Sequence, residues 1–448
     1  MHPRGLYVLA FTETWERFSY YGMMSLLSLY MVNRLLLPET ATTVIGLASL
    51  RASIEAVTGP LSPQALASQI FGLYAGFVYF TPVFGGFVAD RWTGQRNAVV
   101  AGALLMSGGH IAMTFDESFL LALLLLVLGS GLLKGNISAQ VGSLYPPHDE
   151  ARRTRGFVIF SLGISGGAAI GPLVCGWLAQ DYGWHAGFGF AAVLMLVGLA
   201  TYLLGYRSLP ARVQRPNTPA GRRLTRTETR VVAALIAVIG LSIFQSIAYY
   251  QLFNVNPVWI EHHVVQEIAG LRIPVAWYQA VSSLLSIAGV PLLLRIWRRQ
   301  AASGGEPDDL SKMSTGAWLA ALSNALLVVG IVVHGGERLH PIWVVLYGGG
   351  VGYASLYYWP TLLALVSRLA PASVNSTLMG LVFISLFLAN VLIGWIGGFY
   401  ERMSPASFWG LHAAISASGA LLLLVFRPRL LRLLGAFAPA STAAQGAR

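Results

Sequence analysis

Long apolar stretches, separated by short polar or Pro/Gly-bearing breaks, repeat along the whole chain. A transmembrane helix needs about 20 mostly apolar residues, and twelve stretches meet that requirement. They cover residues 5–36, 65–89, 96–115, 118–144, 156–180, 186–206, 231–260, 274–294, 313–334, 341–367, 374–399 and 406–426. The first stretch carries charges in its middle and is too long for a signal-peptide core, so we expect no cleaved leader.

The composition excludes an ordinary soluble protein. Of 448 residues, 55% are hydrophobic and 10% are charged, whereas soluble chains are about one quarter charged. The net charge of +11 does not indicate nucleic-acid binding, because membrane proteins concentrate arginine in short cytoplasmic loops. The single cysteine, Cys175, excludes a disulfide framework. We expect neither a metal nor a cofactor, apart from protons as the coupling ion.

The distribution of basic residues predicts the orientation. If the N-terminus is cytoplasmic, 22 of the 29 Lys/Arg residues fall in cytoplasmic segments, five in outer connections and two within spans. Under the positive-inside rule, both termini are therefore cytoplasmic. We expect a monomeric, multi-pass protein of the bacterial inner membrane, in contact with membrane lipid.

The longest basic segment, residues 207–230, contains seven arginines and three prolines. It predicts a cytoplasmic linker between two six-helix bundles, residues 1–206 and 231–426, with a cytoplasmic tail over 427–448. This layout is that of the major facilitator fold, in which the substrate binds near the midplane between the two halves.

Four charged residues lie well within predicted spans: Glu13, Glu16, Arg17 and Lys134. A central charge costs about 2.5–3.5 kcal/mol on insertion scales, so these residues are expected to face an interior and to pair. The first three share one helical face, and the charges of the four sum to zero. Protonating one glutamate would leave +1, which an incoming carboxylate neutralises. The alternative is a salt-bridge cluster that only pins two helices together, although buried ion pairs are weak evidence for stability.

The run E-T-W-E-R-F-S-Y-Y-G-M at residues 13–23 resembles the E-x-x-E-R-F-x-Y-Y-G-M signature of proton-dependent oligopeptide transporters, a family of the major facilitator superfamily. Residues 85–91, 131–136 and 157–160 also resemble blocks of that family. The resemblance implies a proton symporter with Glu13 and Glu16 in protonation. It further implies that Arg17 and Lys134 meet the substrate carboxylate and that the pocket is lined by Tyr20, Tyr21 and Tyr79.

The departures from the family bear on the substrate. Members that bind free peptides hold the amino terminus with a glutamate on span 10 and asparagines on spans 5 and 8. Those positions are Ser355, Ser165 and Ser282 here, and an arginine of span 1 is replaced by Met24. We therefore expect proton coupling and carboxylate binding to be retained, with weakened recognition of a free α-amine.

Further polar and aromatic residues within spans are candidate substrate contacts. Gln279 and Trp359 are predicted to bind substrate. Gln245 carries the same amide group as Gln279 and could also form a hydrogen bond to the substrate. For the amides the alternative is a hydrogen bond between helices, and for Trp359 it is helix packing.

Three residues are predicted to act in gating. Asp90 and Arg91, at the inner end of span 2, are expected to lock the cytoplasmic side, with ordinary helix capping as the alternative. Pro360 interrupts span 10. A proline removes a helix hydrogen bond and can kink or break the helix, and alternating access requires helices that are kinked or broken at some point.

The sequence thus predicts an all-α integral membrane protein with twelve transmembrane helices in the major facilitator fold. The predicted function is proton-coupled import of di-/tripeptides or peptide-like carboxylates. A proton-driven antiporter that exports drugs or metabolites and a non-transporting membrane sensor remain alternatives. An enzyme is disfavoured, because the spans contain no nucleophile–base pair, metal triad or nucleotide loop.

Overall fold

A computed structural model describes residues 2–146, 149–210, 224–305 and 307–435. This part of the chain is almost entirely helical. The helices are α1 (Arg4–Tyr30), α2 (Pro38–Ala41), α3 (Leu47–Thr58), α4 (Pro63–Val88), α5 (Gly94–Ala112), α6 (Phe119–Ser143), α7 (Glu150–Tyr182), α8 (Trp184–Gly205), α9 (Arg226–Tyr250), α10 (Val255–His263), α11 (Trp277–Ala302), α12 (Asp309–His334), α13 (Ile342–Leu369), α14 (Asn375–Gly397) and α15 (Pro405–Gly435). Strands β1 (Glu267–Ile268) and β2 (Leu271–Arg272) form a small antiparallel hairpin.

Each predicted apolar stretch is occupied by a long helix. Within the described residues, nine helical segments are long and apolar enough to cross a membrane, and one of them joins α4 and α5 through a π-helical turn. Neither α1 nor α13 is among the nine. The prediction of an all-helical membrane protein is confirmed.

Three features differ from the sequence prediction. The connection after α1, which the sequence places outside, contains the helix α3, whose Leu50 and Ile54 pack against the core. Span 7 is broken between α9 and α10, where the Asn254 amide donates to Ser68 and to the carbonyl of Ile393. These bonds to other helices stabilise the break. The last span continues as helix to Gly435, and residues 211–223 of the predicted linker and 436–448 of the tail lie outside the described residues.

The N-terminal and C-terminal halves meet closely at the end of the molecule that the charge distribution predicts to be outside, here termed the outer end. On α4, a Cβ at Gly72 would lie 2.5 Å from the carbonyl oxygen of Asn390 and 2.7 Å from Cα of Gly394. The indole of Trp277 donates to the carbonyl of Leu173 at 2.9 Å. Small residues permit this approach of helix backbones, and it closes the outer end.

Asp116 links three helices at the outer end of the N-terminal half. Its carboxylate accepts hydrogen bonds from Tyr30, from Arg34 at 2.8 Å and from His185 at 2.9 Å. We expect Asp116→Ala to lower the free energy of unfolding in detergent by about 1–3 kcal/mol, because charge-assisted bonds are lost, while the partial exposure of Arg34 limits the effect. Denaturant titration measures it. The adjacent, exposed Glu117 is the control, and equal losses for Glu117→Ala would contradict the role of Asp116.

Candidate functional site

The charged residues of α1 form one buried ion-pair cluster. Arg17 Nε lies 2.8 Å from Glu13 Oε1 and 2.8 Å from Glu16 Oε2. The three side chains share a helix face because they are three and four positions apart. Glu16 is completely buried and Glu13 is 3% exposed. Glu13 Oε2 and Glu16 Oε1 have no hydrogen-bond partner among the described residues, so each carboxylate keeps an oxygen that can accept a proton.

Lys134 of α6 completes the cluster through aromatic rings. Its Nζ lies 4.4 Å from the ring centre of Tyr20 and 5.4 Å from that of Tyr79. Such cation–π contacts stabilise a desolvated ammonium by about 2 kcal/mol. Within the described ranges, no carboxylate oxygen lies within the 4.0 Å ion-pair distance of Nζ. The ammonium is therefore available to an incoming anion.

A cavity of about 270 Å³ lies between the two halves, beside this cluster. The N-terminal half contributes Tyr21 and Tyr79. The C-terminal half contributes Gln245, Ser246, Tyr249, Tyr250, Ser355, Tyr358, Trp359, Leu363, Phe383 and Leu386. No lining side chain carries a formal charge. The charged side chains of the cluster lie behind the tyrosines of the N-terminal half, with Lys134 against the rings of Tyr20 and Tyr79. Four predicted substrate contacts line it: Tyr21, Tyr79, Ser355 and Trp359.

The other six predicted substrate contacts are not among the cavity-lining residues. Arg17, Lys134 and Tyr20 belong to the ion-pair cluster and its aromatic contacts, and the remaining three lie elsewhere. Ser282 donates to the carbonyl of Gly348 at 2.8 Å, and Gln279 donates to that of Leu252 at 3.4 Å. Gln279 thus makes the contact between spans that was the alternative for the amides. Ser165 is half-buried on α7. Their direct part in binding stays a prediction.

The predicted gating residues are not among the cavity-lining residues, although Pro360 directly follows Trp359. Asp90 and Arg91 are exposed in the π-helical turn that follows α4. Pro360 is exposed and lies inside α13, which continues to Leu369. Their gating roles stay predictions.

Two further features of the cavity involve Tyr250 and Gln245, the second of which was already a candidate substrate contact. Tyr250 donates a hydrogen bond across the halves to the Tyr79 hydroxyl at 2.7 Å. Gln245 lines the cavity, and both atoms of its amide lack a partner among the described residues. The spacing of Gln245 and Tyr249 by four residues, which places them on one helix face, is the signal that points to this surface of α9.

Comparison with known proteins identifies the family. The sequence model described as "POT family" matches residues 96–223 and 217–409. The chain belongs to the POT family. A peptide transporter of Yersinia enterocolitica, YePEPT, is 29% identical to this POT-family chain over 95% of this chain and 94% of its own.

Two solved structures extend the comparison. A peptide transporter POT in complex with sulfate superposes with a TM-score of 0.84 at 28% identity, covering 96% of each chain. A POT family transporter in complex with 5-aminolevulinic acid gives 0.82 at 25% identity, covering 96% of this chain and 97% of its own. This POT-family chain is thus a multi-pass membrane protein of a peptide-transporter family and not an enzyme.

Proposed function

We propose that this POT-family chain is a proton-coupled symporter that imports di-/tripeptides or peptide-like carboxylates by alternating access. The observation that carries the proposal is the buried cluster of Glu13, Glu16, Arg17 and Lys134 beside a cavity between the two halves. The cluster combines proton acceptors with cations for a carboxylate, and its charges sum to zero. The peptide transporter from Yersinia supports the same class of solute.

The cluster suggests how proton and substrate movement are coupled. With both glutamates ionised, Arg17 has two carboxylate partners. A proton on one glutamate removes one of those partners and leaves a net charge of +1 in the cluster. A substrate carboxylate then supplies the missing negative charge to Arg17 or Lys134. Release of the proton on the cytoplasmic side restores the internal pairs and expels the substrate. One proton moving inward supplies about 2.3 kcal/mol per 100 mV.

Recognition of a free α-amine is weakened in the proposed site. The cavity lining contains tyrosines, serines and one glutamine, and Ser355 stands where the family's span 10 glutamate aligns. An ammonium group desolvated there would lack a carboxylate partner, at a cost of several kcal/mol. Solutes with a masked or absent amine avoid this cost.

The membrane arrangement belongs to the same proposal. The helices on the twelve predicted stretches, together with the solved relative of TM-score 0.84, support twelve spans in the major facilitator fold. We assign the protein to the inner membrane as a lipid-embedded monomer with both termini in the cytoplasm, because arginine is concentrated on that side. Protons are the only coupling ion in the proposal.

Uptake into proteoliposomes tests the proposal. Purified protein is reconstituted, a pH gradient that is acidic outside is imposed, and accumulation is measured for free dipeptides, N-acetyl dipeptides and unrelated organic acids. We expect the gradient to drive accumulation of N-acetyl dipeptides at least as strongly as that of free dipeptides. Strict dependence on a free α-amine contradicts weakened amine recognition. Gradient-driven export, or no accumulation of any solute, contradicts the symporter.

A further inference from the structure

Gln245 is a buried amide that faces the cavity without a protein partner. Its side chain is 4% exposed and lines the cavity. Neither Oε1 nor Nε2 has a hydrogen-bond partner among the described residues. A buried amide without hydrogen bonds costs about 1–3 kcal/mol. A ligand in the cavity that satisfies both atoms recovers this energy.

Both serines of the lining and the Tyr79–Tyr250 pair are hydrogen-bonded within the protein, whereas the buried hydroxyl of Tyr358 has no partner among the described residues. The hydroxyl of Ser246 donates to the carbonyl of Ser242, and that of Ser355 donates to the carbonyl of Gly352. The hydroxyl of Tyr250 donates to Tyr79. Among the lining residues, Gln245 alone has a carboxamide, which offers a neutral donor and a neutral acceptor on two separate atoms. An amide of this kind matches a ligand group that has one N–H and one carbonyl oxygen.

We propose that Gln245 is a substrate-specificity residue that binds the N–H and the carbonyl of one residue in an N-acylated dipeptide. The inference rests on the proposed function, since the substrate carboxylate must reach Arg17 and Lys134, which lie behind the tyrosines of the N-terminal half. In an extended residue, the N–H and the C=O point to the same side, as they do in a hydrogen-bonded pair of an antiparallel sheet. One carboxamide can then accept from the N–H and donate to the carbonyl.

Acylation of the substrate decides whether this match exists. An acylated first residue carries a neutral N–H, which can donate a hydrogen bond to Oε1 of Gln245. No charged group of the substrate is desolvated at this position. A free dipeptide carries an ammonium group at the same place, and a neutral oxygen is a poor partner for a buried ammonium. A substrate whose acylated nitrogen is methylated keeps its carboxylate but loses the N–H and gains a methyl group. The effect of this methylation in the wild type and in Gln245→Leu therefore separates the lost bond to Gln245 from the added bulk.

Equilibrium binding in detergent tests the proposal, because no gradient is needed there. The probes are an N-acetyl dipeptide, its N-methylated analogue and the free dipeptide. We expect the wild-type protein to bind the N-acetyl dipeptide about 5- to 150-fold more tightly than the N-methyl analogue, the range that follows from leaving one buried acceptor unsatisfied. Gln245→Leu should bind both acylated compounds equally, and more weakly than the wild type binds the N-acetyl dipeptide. Gln64→Leu is the matched control, since Gln64 is also a buried glutamine with an unpartnered oxygen, away from the cavity lining.

A second variant keeps the test decisive if the leucine variant does not fold. Gln245→Glu places a carboxylate at the same position and should shift the preference toward the free dipeptide. A wild-type preference that persists in Gln245→Leu or Gln245→Glu overturns the inference, and so does wild-type protein that binds the N-acetyl and N-methyl compounds equally. If the wild-type protein binds none of the dipeptides, the proposed function fails as well. The two failures are thus distinguishable.

Discussion

Glu16→Gln should abolish proton-driven accumulation while leaving solute exchange intact. The amide cannot ionise and therefore resembles the protonated glutamate, so the cluster keeps the +1 charge that attracts a substrate carboxylate. The variant can bind and exchange solute but cannot release a proton. A pH difference of about 1.7 units supplies one proton with about 2.3 kcal/mol, which supports about fiftyfold accumulation of a monocarboxylate, and that ratio should fall to about one.

The measurement compares two assays on the same proteoliposomes. Uptake under an imposed gradient reports coupling, and counterflow of labelled against unlabelled solute without a gradient reports binding and movement. Glu55→Gln is the matched control, because Glu55 pairs with Arg51 on α3, outside the cavity lining. Accumulation by Glu16→Gln at the wild-type level would favour a structural role for the cluster. Loss of counterflow together with accumulation would contradict the idea that the amide resembles the protonated state.

Gly72→Val should hold the two halves apart at the outer end and stop transport. A Cβ at this position would lie 2.5 Å from a backbone oxygen of α14, a separation at which the backbones must move. Overpacking of this kind costs about 1–3 kcal/mol, which shifts the equilibrium away from the outer-closed state by about 5- to 150-fold. The glycine is thus required where two helices from different halves meet.

Labelling of an introduced cysteine detects the shift directly. The native Cys175 is buried, so Ser246→Cys, in the cavity lining, adds one reactive site. A membrane-impermeant maleimide added from outside should label this cysteine faster when Gly72→Val is combined with Ser246→Cys than in the parent protein, which carries Ser246→Cys alone. Uptake should fall in the combined variant. Gly108→Val is the control, since a Cβ there would meet only a leucine methyl group at 3.8 Å. Equal labelling in Gly72→Val and the parent would show that the outer end still closes.

The sequence predicted the features that depend on local spacing. The ion pairs of Arg17 with Glu13 and Glu16 lie within one helical turn, so periodicity alone brought them together. The helices likewise follow from local hydrophobicity. The break after α9 could not be predicted from local hydrophobicity, because it is stabilised by hydrogen bonds of Asn254 to α4 and α14, two helices remote in sequence.

The lining of the cavity was predicted only in part, for the same reason. Gln245 and Gln279 are both glutamines within apolar helices, and their sequence context does not distinguish them. The packing of α9 against α14 turns Gln245 toward the cavity. Gln279, near the start of α11, instead donates across to the carbonyl of Leu252. That difference is a property of tertiary packing.

The ion-pair cluster of α1 also has a consequence for biogenesis. α1 precedes the other described helices in the chain, carries three charges near its middle and is not among the described segments apolar enough to insert by hydropathy. Its internal pairs offset part of an insertion cost of about 2.5–3.5 kcal/mol for each charge. The ammonium of Lys134 and the surface of α7, against which α1 packs, are synthesised more than one hundred residues later. Stable membrane integration of the first helix should therefore await α6 and α7, so that truncated chains ending before α6 leave α1 extractable by alkaline carbonate.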